Sequence, residues 1–201
     1  MVLSPKRFRS IKPEVRVLGI DDGGFVPRTK GAVDVVGVVY RGGQVFEGVM
    51  KTKINLDGLD ATEKIAAMVI DSPFCGEIRV IVIDGVTFAG FNVVDISELS
   101  SRLNLPVISV VREKPDFENI KNALKNLPDF EVRWQAMENA GELFTVETKE
   151  GENPVYMHTA GILREDAEKV MRITSTRSLI PEALRVAHII ASGLSPSSEN
   201  I

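Results

Sequence analysis

Two short apolar runs in this chain, Val17-Leu18-Gly19-Ile20-Asp21-Asp22 and Val80-Ile81-Val82-Ile83-Asp84-Gly85, each end in a carboxylate. Such runs fill the middle of a sheet. A strand buried there gains nothing from an acid at its tip unless a cation, a ligand or a helix N-terminus meets it. If the two strands are neighbours, Asp21 and Asp84 converge at one edge of the sheet. Two hard oxygen donors in that position suit Mg²⁺ or Mn²⁺, and with them the hydrolysis of phosphate esters. Taken singly, each acid is equally a strand-end turn residue or a helix cap. Consecutive strand residues point to opposite faces, so only one of Asp21 and Asp22 can face a cation, and Asp22 ranks second.

Other catalytic arrangements find little support. The two histidines, His158 and His188, lie far apart in sequence, and His188 falls in a closing helix where packing or capping explains it. Cys75 is the one cysteine, which rules out an internal disulfide and a cysteine-rich zinc site and leaves a small buried filler. Gly19-Ile20-Asp21-Asp22-Gly23-Gly24 lacks the glycine spacing of a dinucleotide fingerprint. Phe130 and Trp134 could stack on a base or pack in a core.

The elements that must position the acids follow from apolar period and turn chemistry. Strands are predicted over 15–21, 32–40 and 45–54, the last two joined by the hairpin signal Arg41-Gly42-Gly43-Gln44. A helix over 60–71, capped by an Asp or Thr, leads to a strand over 79–84, buried on both faces. A short helix over 95–103, a buried strand over 106–111 and an amphipathic helix over 116–127 come next. Beyond Pro128 the chain reads as a β-rich insertion over 129–160, with short strands over 130–136, 142–148 and 155–158, then helices over 164–172 and 179–192 and a flexible tail over 194–201. The fold class is therefore α/β: one domain over 1–201 with a mixed sheet, three antiparallel strands followed by parallel ones, and helices on both faces. Right-handed crossovers place the strand over 79–84 beside the opening strand, so that Asp21 and Asp84 sit side by side. That element order resembles the ribonuclease H fold.

At 201 residues, with 44% hydrophobic and 26% charged, the chain can bury a sizeable core. Its apolar runs are short and interrupted, which predicts no membrane span, and residues 1–7 have no signal-peptide core, so a cytoplasmic location is the default. The net charge of −4 argues against a generic nucleic-acid coat protein. Residues 1–16 nevertheless carry Lys6, Arg7, Arg9, Lys12 and Arg16 against Glu14 alone, a local charge of +4. This arm is either solvated or laid on a phosphate backbone.

Several of these segments resemble the endonuclease V superfamily, and most closely the archaeal endonuclease dU family, over most of the chain. Leu18-Gly19-Ile20-Asp21 and Val82-Ile83-Asp84-Gly85 resemble the two strand motifs that supply metal-binding aspartates. Glu63 lies at a spacing similar to the family's glutamate, which implies a third carboxylate in the metal shell. Pro106-Val107-Ile108-Ser109-Val110-Val111-Arg112 resembles a strand ending in a catalytic lysine, and Ser175-Thr176-Arg177-Ser178-Leu179 sits where the superfamily has a histidine-arginine pair. The resemblance implies that Arg112 and Arg177 bind the scissile or a flanking phosphate, with Thr176 as a second-tier position. Arginine at 112 keeps charge but cannot donate a proton at neutral pH. Lys53-Ile54-Asn55-Leu56-Asp57-Gly58 shows no tyrosine-proline wedge of the kind that opens a duplex beside a lesion.

The activity implied is a Mg²⁺- or Mn²⁺-dependent endonuclease acting on single-stranded or lesion-containing DNA near a deaminated base such as deoxyuridine. The missing histidine, the arginine at 112 and the acidic balance leave open a nucleic-acid or protein binding module without turnover. A phosphohydrolase for small nucleotides on the same metal site is the third reading.

Overall fold

A computed structural model describes residues 8, 10–26 and 31–195. Its core is a seven-stranded mixed sheet. Strand β1 (Arg16–Asp22) pairs antiparallel with β2 (Ala32–Arg41), which pairs antiparallel with the edge strand β3 (Val45–Asn55). On its other side β1 runs parallel to β4 (Val80–Asp84), and β4 parallel to β7 (Val107–Val111). Helices α1 (Ala61–Ile70) and α2 (Ile96–Leu103) make the crossovers into β4 and β7. A two-stranded ribbon, β5 (Thr87–Phe88) and β6 (Asn92–Val93), follows β4. The near-continuous Val/Ile runs of β1, β4 and β7 are thus the central strands, covered on both faces as such runs require.

One face of the sheet packs against α1 and α2, and also against α3 (Phe117–Leu124) and α4 (Phe130–Glu138), through Leu18, Ile20, Ile81 and Ile83. The other face carries α5 (Arg164–Thr174) and α6 (Glu182–Gly193), packed on Val17, Val80, Val82, Ile108 and Val110. Strand parity therefore sends odd-numbered residues of β1 toward α6 and even-numbered ones toward α1. In register, Val17 faces Val80 and Ile20 faces Ile83, so Asp21 and Asp84 are the next pair along.

Gly19 permits the close seating of α6. A Cβ at this position would lie 2.2 Å from the main chain of Ala183 and Leu184. Only a residue without a side chain lets helix and strand backbones approach this far.

The segment over 130–136, expected to be a strand, is helical. Its buried residues, Arg133 and Met137, are one turn apart, and Phe130 stacks on Trp134 at the same spacing, so period 3.6 wins over the β-propensity of the aromatics. Nor do the later strands form an insertion. β9 (Val155–Ala160) adds antiparallel to β7, and β8 (Phe144–Val146) closes that edge of the main sheet. Residues 194 and 195, expected in the tail, are bonded to the fold: the Leu194 amide bonds the Ile190 carbonyl, and Ser195 Oγ accepts the Gly24 amide. Residues 196–201 lie outside the described residues.

The expected Asp or Thr cap of α1 is also replaced. Asn92, fully buried on β6, accepts the Ala61 amide with its Oδ1, while Asp60 accepts from the Asn55 amide and from Asn92 Nδ2. Arg133 is 2% exposed and has no acidic partner among the described residues. Its guanidinium donates to the main-chain carbonyls of Asp57 (2.7 Å), Gly58 (2.8 Å), Phe91 (2.5 Å) and Pro128 (3.0 Å). It thereby ties the β3–α1 connection and the end of the β5–β6 turn to α4. No helix among the described residues is long and apolar enough to cross a membrane.

Gly19→Ala is expected to push α6 off the sheet, at a cost of about 3 kcal/mol for overpacking against backbone. For a chain of this size the thermal unfolding midpoint falls by roughly 6–12 °C, which calorimetry checks.

Candidate functional site

The C-terminal ends of β1 and β4 bring their acids together on the α6 face. Asp21, Asp84 and His188 each offer a ligand atom, and these atoms lie within 4.8 Å of one another. Asp21 is 5% exposed; its Oδ2 is 2.7 Å from His188 Nδ1, and its Oδ1 accepts the Asp22 amide at 2.9 Å. Gly85, in the left-handed region at φ 66°, turns the chain away immediately after Asp84, and its amide is held by the Val110 carbonyl.

Electrostatics mark this group as unusual. Burial, and then the neighbouring charge of Asp84, push the Asp21 carboxyl up to about 7, against the pull of its bond to His188. Burial also raises Asp84, with Arg112 and His188 drawing it back. Arg112 follows β7 with the parity of Val110, which faces α6, so its charge acts on Asp84 from the third strand. Desolvated, mutually repelling carboxylates are a preformed complement to a cation. Two carboxylates with an imidazole hydrogen-bonded to one of them fit a divalent ion of the Mn²⁺ or Mg²⁺ kind held by the acids.

Asp22, the second-tier acid, points the opposite way: its Oδ2 accepts the Ala89 amide at 2.8 Å. It holds the turn after β5, where Ala89 sits at φ 41°, a strained value for a residue with a Cβ. Burial raises the Asp22 carboxyl as well.

Glu63 does not join the group. It is exposed in the first turn of α1, on the opposite face of the sheet, where it borders a groove with Thr62, Asp95 and Glu98. Arg177 and Thr176 do not join it either. They lie with Tyr40 and Gly43, at the end of the sheet where β1 begins, because β2 pairs Tyr40 with Val17. Lys12 is exposed at that same end, its carbonyl bonded by the Val15 amide. Lys6, Arg7 and Arg9 lie outside the described residues.

His188 is the residue that sequence reasoning passed over. The place expected for a histidine, Thr176, lies before α6; the imidazole arrives from within the helix instead. One signal was available. Leu184, Ala187, His188 and Ala191 follow i, i+3, i+4, i+7 spacing, so His188 borders the sheet-facing stripe. Its side chain remains 53% exposed. His158, by contrast, is buried, with Nδ1 3.1 Å from the Gly141 carbonyl, and burial lowers its pKa.

A family model described as endonuclease dU matches residues 13–195. A UPF0215 protein of Methanothermobacter thermautotrophicus is 54% identical over 188 residues, 93% of this chain and 91% of that protein. One from Pyrococcus furiosus is 45% identical over 92% of this chain and 95% of its own length. Among solved structures, a protein of unknown function from Archaeoglobus fulgidus matches with a TM-score of 0.81 and 38% identity, covering 90% of this chain and 98% of that one. The catalytic domain of human endonuclease V matches with a TM-score of 0.61 at 15% identity, over 94% and 87% of the two chains, a likeness of fold. The fold is thus of the ribonuclease H-like type found in endonuclease V.

The raised Asp21 carboxyl sets a pH dependence. Its folded value of about 7 exceeds the ordinary 3.8, so between these limits the folded state binds more protons than the unfolded chain. Metal-free protein should therefore lose stability as pH rises from about 4 to about 7 and level off above. Asp21→Asn is expected to flatten that slope, and excess Mn²⁺ to raise the unfolding midpoint most at and above pH 7, where the carboxylate is free of its proton. Thermal melts across pH, with and without metal, check both.

Proposed function

The chain belongs to the endonuclease dU family, and from that premise we propose that it is a metal-dependent endonuclease hydrolysing a phosphodiester of DNA beside a deaminated base such as deoxyuridine. The observation that carries this reading is the convergence of Asp21, Asp84 and His188 at the mouth of the central strands, with Arg112 alongside. The deoxyuridine in the family's description supports the choice of lesion.

A divalent cation held by the two carboxylates would neutralise charge growing on the phosphoryl oxygens and lower the pKa of an attacking water. Asp21 and Asp84 are the residues that would hold it. They are fixed at adjacent positions on hydrogen-bonded strands, so the ligand geometry does not depend on a flexible loop. With Nδ1 donating to Asp21, His188 keeps Nε2 as an acceptor, placed to take a proton from water or return one to the departing oxygen. Arg112 grips the scissile phosphate through two donors and stays charged throughout, an electrostatic role. To be read by its Watson–Crick edge, the target base must be turned out of the stack or met in single-stranded DNA, since pairing covers that edge in a duplex.

The reading as a binding module without turnover drew on a missing histidine, the arginine at 112 and the acidic balance; His188 answers the first of these, and the other two still speak for that reading.

With Mn²⁺ or Mg²⁺, purified protein should nick an oligonucleotide carrying one deoxyuridine, and a chelator should abolish nicking. Asp21→Asn and Asp84→Asn are each expected to lower the rate at least about 100-fold, the scale of a lost electrostatic stabiliser. Both variants should stay folded, because each removes one of two repelling charges. Undiminished nicking by both would sink the mechanism.

A further inference from the structure

At the opposite end of β1 from the acids, a polar cavity of about 420 Å³ lies between the β2–β3 turn and the start of α6. Tyr40, Gly43 and Gln44 form one wall; Thr176, Arg177 and Arg185 form the other. The walls are locked together. Thr176 Oγ1 donates to the Gly43 carbonyl at 2.8 Å, and a Cβ on Gly43 would lie 2.5 Å from Thr176 Cγ2.

At its base Glu182, 2% exposed, accepts from Arg185 Nη2 at 2.8 Å and Nε at 3.1 Å, and from the Arg177 amide at 3.2 Å. This buried carboxylate fixes Arg185 and the main chain of Arg177, yet it satisfies only one of the two guanidinium charges. The Arg177 guanidinium is exposed and has no partner among the described residues. The cavity thus keeps a surplus of one positive charge, with the Gln44 amide and the Tyr40 hydroxyl as neutral donors. The unpaired Arg177 guanidinium, beside polar neighbours and an Arg185 held by Glu182, matches a phosphate group.

Its location identifies the source. Arg185 and His188 are three residues apart on α6, neighbours on one flank of the helix. Tyr40 pairs with Val17, four residues before Asp21 on β1, or about 14 Å at roughly 3.4 Å per residue. One strand of a duplex places a phosphate about every 3.4 Å along its axis, so that span is about four phosphates. We propose that the cavity formed by Tyr40, Gln44, Arg177 and Arg185 holds a backbone phosphate of the nucleic-acid substrate, several nucleotides from the bond that is cut, and that α6 is the rail joining the two points. This rests on the endonuclease reading and adds to it a second, non-reacting anchor.

The test is oligonucleotide affinity in Ca²⁺ as a function of salt. Arg177→Gln, which disturbs no side-chain bond of the fold, is expected to weaken binding about tenfold and to reduce the slope of log affinity against log salt by about one. Arg102→Gln removes the same charge from α2 on the other face and should change neither. Affinity and slope unchanged by Arg177→Gln overturn the proposal, as does binding lost equally in both variants. Cleavage that depends on Asp21 and Asp84 while Arg177→Gln binds normally overturns this anchor alone and leaves the endonuclease reading standing. Competition by inorganic phosphate that also disappears in Arg177→Gln, without any effect on the oligonucleotide, assigns the cavity to a free anion and overturns the backbone assignment.

Discussion

Two carboxylates buried side by side repel each other, and a protein keeps them so only if its framework will not let them part. Here the framework is the parallel ladder between β1 and β4, which fixes Asp21 and Asp84 at matched positions on neighbouring strands. The strain surfaces as raised carboxyls: burial and the charge of Asp84 push Asp21 up to about 7, and burial raises Asp84. His188 and Arg112, from α6 and the end of β7, approach from either side and partly offset it. Neither partner is on the same element as an acid, so the site exists only when sheet and helix are assembled together.

The closeness of that assembly depends on atoms that are absent. Gly19 presents no side chain where Ala183 and Leu184 pass, and one helical turn later His188 reaches Asp21. On the opposite face Asp22 performs a mechanical task. It holds the Ala89 amide, and through it a turn whose backbone is strained, so the same pair of consecutive aspartates supplies a candidate ligand on one side and a strut on the other.

Much of this was legible in the sequence, for identifiable reasons. The central strands read correctly because Val/Ile runs ending in Asp have few other uses, and the crossover rule then forced Asp21 next to Asp84. The helix at Phe130–Glu138 was misread because its aromatics favour strands when read locally. Its stability comes from a buried arginine whose partners, at Asp57, Gly58 and Phe91, are distant in sequence. Asn92 capping α1 across 31 residues was invisible for the same reason. Glu63 and Arg177 sat at plausible spacings, but spacing does not report which face or which end of a sheet a residue reaches. His188 is not legible as a site residue because a histidine bordering an apolar helical stripe has the same pattern as one that packs or caps.

Arg133 has a consequence for how the molecule breathes. A lone guanidinium bridging carbonyls of the β3–α1 connection, the β5–β6 ribbon and the start of its own helix makes those three pieces of chain a single mechanical unit. None can come loose without orphaning a buried charge, so fluctuations of the individual loops are suppressed and the whole block opens as one cooperative event. The α1 face of the sheet is thus braced by one side chain that three separate pieces of chain share.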